Sequence, residues 1–198
     1  MGAVATFPVA APRGTGEAQV TQRSGPLTTL RGRLHRWWAH AATTPLALRR
    51  AFPPRVLKSI GAAIELAEAG HTGEIRFVVE GSLPWVFLRR NASVRNRALA
   101  LFSELRIWDT EHNNGVLIYV ELADRAVEIV ADRGIARRVQ NEVWRRICHD
   151  LKEQCKGGQF EAGAVAAVRE VGALLQREFA LAPGQARINE LPDRPLAL

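Results

Sequence analysis

Acids are nearly missing from the first 58 residues of this 198-residue chain, where Glu17 stands alone against nine lysines and arginines. The whole chain carries +7, so residues 59–198 sum to −1. The basicity belongs to an N-terminal extension, and no specific nucleic acid is expected as a partner of the folded part. Long apolar runs are missing too: none approaches the roughly 18 residues of a membrane span. The first residues also lack the basic-then-apolar order of a secretory signal. The expected location is cytoplasmic, with the periphery of the inner membrane surface as the alternative. Cysteine is scarce. Cys148 and Cys155 lie seven apart at helical spacing, about 10 Å along an axis, which excludes a disulfide between them within one helix. With no CxxC or ligand cluster nearby, they read as packed, reduced thiols. GxSxG, GxGxxG, P-loop and EF-hand patterns are all absent, so a nucleophile elbow, a dinucleotide site and a phosphate cradle find no support. No organic cofactor is expected.

Hydrophobic residues make up 47% of the chain, enough for one ordinary core. Residues 46–182 are read as that domain, 1–45 as a basic extension and 183–198 as a Pro-containing tail. Residues 1–29 read as disordered. Loose matches to N-myristoylation at Gly2–Thr6 and to a transit peptide compete with that reading. Leu30, Leu34, Trp37, Trp38 and Ala41 then recur at helical spacing among Arg31, Arg33, His35, Arg36 and His40. This predicts a short basic amphipathic helix whose tryptophans pack on the domain, or else make weak contact with a membrane surface.

Beyond Pro53 and Pro54, a helix is marked by Val56, Leu57, Ile60, Ile64 and Ala67, with Gly70 as its cap. A strand is marked by alternation in Gly73–Glu80, and a second helix spans Ser93–Arg106. Gly115–Ala123 is nearly continuous in apolar and β-branched residues, as in a strand covered on both faces. A tight turn at ADR then returns the chain antiparallel through AVEIVAD. Two further helices follow, joined at Gly157 and Gly158. The fold class is α/β: a three-layer α/β/α sandwich with a small mixed sheet, its first two strands parallel and followed by a hairpin, with helices on both faces.

That topology sorts the acids by rim. A right-handed crossover puts the beginnings of the two parallel strands at one end, and the hairpin returns the third strand to the same end. Glu74, Asp109, Glu111, Asn113, Asn114 and Asp132 are thereby expected on one rim, an oxygen-only set suited to Ca²⁺ or Mg²⁺ rather than zinc. His112 is the proton carrier nearest to them. The opposite rim is the alternative, with Glu80, Asp124, and Glu121 facing Glu128 across a two-residue turn. Carboxyl ends of parallel strands are the usual place for ligands in open sheets. Like charges so opposed would need a cation or another register.

The stretches RALALFSELRIWDTEHNNGVLIYVELADR, VEIVADRGI and GQFEAGAVAAVREVGALL, with the helix before HTGEIRFVVE, resemble the TPM domain family over about Phe52–Phe179. The resemblance implies an α/β/α sandwich, and divalent-cation binding or acid phosphatase activity as attributed to some members. The family's usual Asp-Asn-Gly is here Asn113-Asn114-Gly115. Its Asp ahead of the first helix is replaced by Phe52, Pro53, Pro54 and Arg55. The resulting expectation is a domain that binds a divalent cation or a protein partner through Trp108–Asn114. The alternative is a cation-assisted phosphatase with Asp109 and Glu111 on the metal. Neither oligomeric state nor enzymatic status is fixed by these residues.

Overall fold

Unbroken burial from Gly115 to Glu121 makes this segment the centre of the sheet. The computed structural model describes residues 30–182, 184 and 186–198; the readings placed on residues 1–29 lie outside the described residues. In chain order the elements are α1 (Leu30–Ala42), α2 (Pro45–Ala51), α3 (Pro54–Glu68), β1 (Glu74–Glu80), α4 (Trp85–Arg89), α5 (Val94–Glu104), β2 (Gly115–Glu121), β3 (Ala126–Ala131), α6 (Arg133–Ala136), α7 (Asn141–Lys156), α8 (Phe160–Phe179) and β4 (Leu196–Ala197). The sheet order is β3-β2-β1-β4. β1 runs parallel to β2, with Glu74 beside Gly115 and Glu80 beside Glu121, and β3 returns antiparallel to β2. The α/β class, the parallel first pair and the hairpin are as the sequence indicates.

Strand alternation divides the interior into two unequal cores. Ile75, Phe77 and Val79 join Val116, Ile118, Val120 and Ile129 against α3, α7 and α8. Val78, Leu117, Tyr119 and Val130 face α4 and α5 instead. By the same alternation Glu74, Arg76, Glu80, Glu121 and Glu128 all belong to this second, thinner layer, and all are buried. α5 is started by a reciprocal cap between Ser93 and Asn96, the arrangement that satisfies two otherwise orphaned N–H groups.

Three expectations need correction. α3 ends at Glu68 with Ala69 as its cap in right-handed geometry, so Gly70 caps nothing; it lies where a Cβ would stand 3.0 Å from the Gln176 amide. The hairpin loop is Leu122–Arg125, and Glu121 faces Ala126 while Glu128 faces Tyr119. The Glu121 carboxylate accepts from the N–H groups of Ala123 and Asp124, holding this longer turn with Arg125 at φ 51°. The segment expected as a tail returns to the sheet, and β4 pairs Leu196 with Val78. Arg76 anchors it by donating to the carbonyls of Pro192 and Arg194.

Candidate functional site

Both rims of the sheet are acidic, and at each of them cations from distant parts of the chain meet the acids. At the first rim Glu74 is buried and accepts from the N–H groups of Glu190 and Leu191, each at 3.3 Å. Glu68, at the end of α3, is fully buried. It accepts from Ile75 N–H at 2.6 Å and from the Arg187 guanidinium. The same Arg187 nitrogen lies 3.6 Å from Glu74 and 3.9 Å from Asp193. An arginine of the C-terminal segment thus sits among three carboxylates. Burial, reinforced by Glu74, pushes Glu68 up to about 9 against the opposing pull of Ile75 N–H and Arg187. Burial likewise raises Glu74 to about 7. His71, buried beside them, is lowered to about 4 by burial, and its Nδ1 accepts from Gly73 N–H.

The loop before β2 is pinned by its own backbone. Asn113 adopts φ 52°, its carbonyl accepts from Gly134 N–H at 2.8 Å, and its Oδ1 accepts from Arg133 Nε at 3.0 Å. Gly134 makes this possible, since a Cβ there would stand 2.4 Å from that carbonyl. Asn114 is fully buried and donates through Nδ2 to Thr72 Oγ1. Asp132 caps α6 through Oδ1, at 2.6 Å from Arg133 N, and burial raises its carboxyl above the usual range. Asn114 Oδ1 and Asp132 Oδ2 are buried and find no hydrogen-bond donor among the described residues.

Of the six residues expected together, the structure therefore leaves Asn114 and Asp132 with uncommitted buried oxygens. Glu74 is committed to the C-terminal segment and Asn113 to Arg133. Asp109, Glu111 and His112 are exposed, because the loop turns outward; among the described residues Glu111 is held through its N–H to the Glu190 carboxylate. Glu68 and Arg187 were not foreseen. An acid four residues beyond Ile64 continues the buried stripe of α3, and that was the available signal for Glu68.

The alternative rim is closed by ion pairs. Arg97 grips Glu80 at 3.0 Å, and the Tyr119 hydroxyl donates to the same carboxylate. Arg95 lies 3.7 Å from Glu128, whose carboxyl burial pushes up to about 7. Burial pushes Glu121 up to about 8. Asp124 takes three hydrogen bonds from Arg36 of α1, at 3.2, 3.0 and 2.7 Å. Burial alone would raise Asp124, but His40 and Arg36 bring it below the usual range. Among the described residues, His40, Glu121 and Asp124 form the one trio of potential metal-ligating side chains within 4.8 Å of one another. His40 Nδ1 accepts from Leu83 N–H, and its buried Nε2 lies 3.3 Å from Asp124 Oδ1 but makes no hydrogen bond among the described residues. Arg36, through Asp124, fastens α1 to the hairpin at this trio. Arg36→Ala is expected to release α1 and speed tryptic cleavage after the exposed Arg49 and Arg50 roughly tenfold, the value of one charge-assisted contact. A digestion rate equal to that of the parent chain would show that the pairing does not hold the helix.

A family model described as the TPM domain matches residues 50–174. The chain belongs to the TPM domain family. Among solved structures, the TPM domain is similar to the NMR structure of BA42 protein from the psychrophilic bacterium Bizionia argentinensis, at 31% identity and a TM-score of 0.63. The match covers 72% of this chain and 92% of that one. Among curated proteins, none matches. The family match ends at residue 174, so Arg187 and the rest of the segment that closes the first rim lie beyond it. No helix of this TPM domain, among the described residues, is long and apolar enough to cross a membrane.

Proposed function

We propose that this TPM domain binds a hard divalent cation, Ca²⁺ or Mg²⁺, at the first rim and acts as a binding module rather than a hydrolase. The observation that carries this reading is the pair of buried, donorless oxygens, Asn114 Oδ1 and Asp132 Oδ2, on loops tied together by the Asn113–Gly134 and Asn113–Arg133 hydrogen bonds. Buried oxygens left without a donor are uncommon in folded proteins, and amide and carboxylate oxygens suit hard cations. Asp109 and Glu111 lie exposed on the same loop. The phosphatase alternative is less well supported. His112 is exposed, and the buried His71 uses its Nδ1 as an acceptor for backbone N–H, so neither histidine is held as a base against a nucleophile among the described residues.

Calorimetric titration with Ca²⁺ is expected to show saturable heat and a rise in melting temperature. Asp132→Asn should weaken binding at least tenfold, the effect of losing one charged ligand. Glu74→Gln should leave it within about twofold, because Glu74 already accepts two backbone N–H groups. No heat and no stabilisation at millimolar Ca²⁺ would end the cation reading. Turnover of an aryl phosphate by highly purified protein, lost in Asp109→Ala, would support the hydrolase instead.

A further inference from the structure

α1 is docked by its polar side. Arg36 and His40, four residues apart, point inward to Asp124 and Glu121 and are buried. Its apolar stripe of Leu34, Trp38 and Ala41 consequently faces outward. Leu34 is 55% exposed and Trp38 74%, the reverse of what an amphipathic helix does when it packs on a core. Trp37 lies at the border of the two faces, and its ring meets that of Trp85 edge to face at 4.6 Å. This contact joins the start of α4 to the stripe, and there Trp85 and Val86 are 58% and 48% exposed.

The two segments that carry these side chains contribute charge of one sign. Residues 30–58 and 81–103, the two segments brought together by the Trp37–Trp85 and His40–Leu83 contacts, contain no Asp or Glu at all. Arg33, Arg89 and Arg90 are exposed and make no ion pair among the described residues. We propose that this surface binds the face of an anionic lipid bilayer, with Trp38 and Trp85 at the headgroup level, Leu34 and Val86 reaching the acyl boundary, and the arginines on lipid phosphates. Tryptophan and arginine suit that interface, and an acid-free rim is drawn to anionic lipid. A nucleic-acid backbone would be met by the arginines but would leave Leu34 and Val86 in water. A second copy of the same surface would bring like charges together. Contiguous exposed apolar side chains rimmed by polar ones are the usual mark of such a contact.

The test is co-sedimentation of the full chain with phosphatidylcholine vesicles containing or lacking phosphatidylglycerol. Binding is expected only to the anionic vesicles, falling as salt is raised. Trp38→Ala should weaken it roughly tenfold, the effect of removing one interfacial aromatic. Because Trp38 is so exposed, its variant should melt at the temperature of the parent chain, which keeps the result separate from misfolding. Absence of sedimentation with anionic vesicles at low salt would overturn the proposal, as would equal binding by Trp38→Ala. Retention of a single-stranded RNA oligonucleotide without vesicle binding, or Trp38-dependent dimers without it, would assign the surface to another partner.

Discussion

Gly115→Ala is expected to lower the melting temperature by about 10 °C. A methyl group at Gly115 would stand 2.1 Å from the carbonyl oxygen of Ile107 and 2.9 Å from its Cγ2. The obstacle is backbone, so no rotamer change relieves it. Ile107 is itself fully buried, and the Gly115 carbonyl accepts from Asp132 N–H at 2.9 Å. Shifting either side would move the loop before β2 or break the link to the α6 cap. Overpacking of this kind costs about 3 kcal/mol, and each kcal/mol moves the melting point of a chain this size by about 2–4 °C. Gly157→Ala is the control, since its Cβ would meet nothing closer than 3.5 Å. Thermal denaturation followed by circular dichroism decides the matter, and equal melting temperatures for the two variants would refute the packing argument.

Arg187→Ala is expected to destabilise the protein in a pH-dependent way, with little lost at pH 5 and a deficit that grows toward pH 9. Glu68 titrates at about 9 in the folded chain against 4.5 as its ordinary value, and Glu74 at about 7. Between those values the folded state holds more protons than the unfolded one. The stability that these groups contribute is therefore complete below about pH 4.5 and is lost as pH rises through 7 and then 9. Arg187 is the cation that eases the ionised form. Without it both carboxyls hold their protons to still higher pH, so little changes at low pH and the deficit grows as pH rises through the range in which Glu74 and then Glu68 ionise in the parent chain. Glu68→Gln combined with Arg187→Ala should flatten the profile. A deficit of equal size from pH 5 to pH 9 would mean that Arg187 acts through packing alone.

The parts of the fold legible in the sequence were those set by local pattern. Gly115–Glu121 announced a central strand through its run of β-branched and apolar residues, and α5, α7 and α8 through their 3.6-residue period. Gathering Glu74, Asn114 and Asp132 onto one rim needed only the crossover and hairpin. What could not be read was the pairing of charges over long separations. Glu68 and Arg187 lie 119 residues apart, Arg36 and Asp124 lie 88 apart, and no local spacing records either. The same cause inverts α1. Its hydrophobic period predicts that Trp38 faces the domain, but the buried Arg36 and His40 on the opposite side, paired with Asp124 and with Leu83 N–H, fix the orientation. Asp109 and Glu111 looked like ligands because of their density, although a run of polar residues equally describes a loop that turns into solvent.

The return of the C-terminal segment also sets an order of assembly. Arg76 reaches carbonyls 116 and 118 residues further along, and β4 contributes only two paired residues. Closing so long a loop carries a large entropic penalty with a small reward in strand pairing. The hairpin and the β1–β2 crossover are accordingly expected to assemble first and the closing segment last. During that interval the flank of β1 presents unpaired N–H and C=O groups, a template on which a strand from another molecule can add. Refolding at high protein concentration should accordingly pass through a window in which intermolecular pairing competes with Leu196–Ala197 for the same edge.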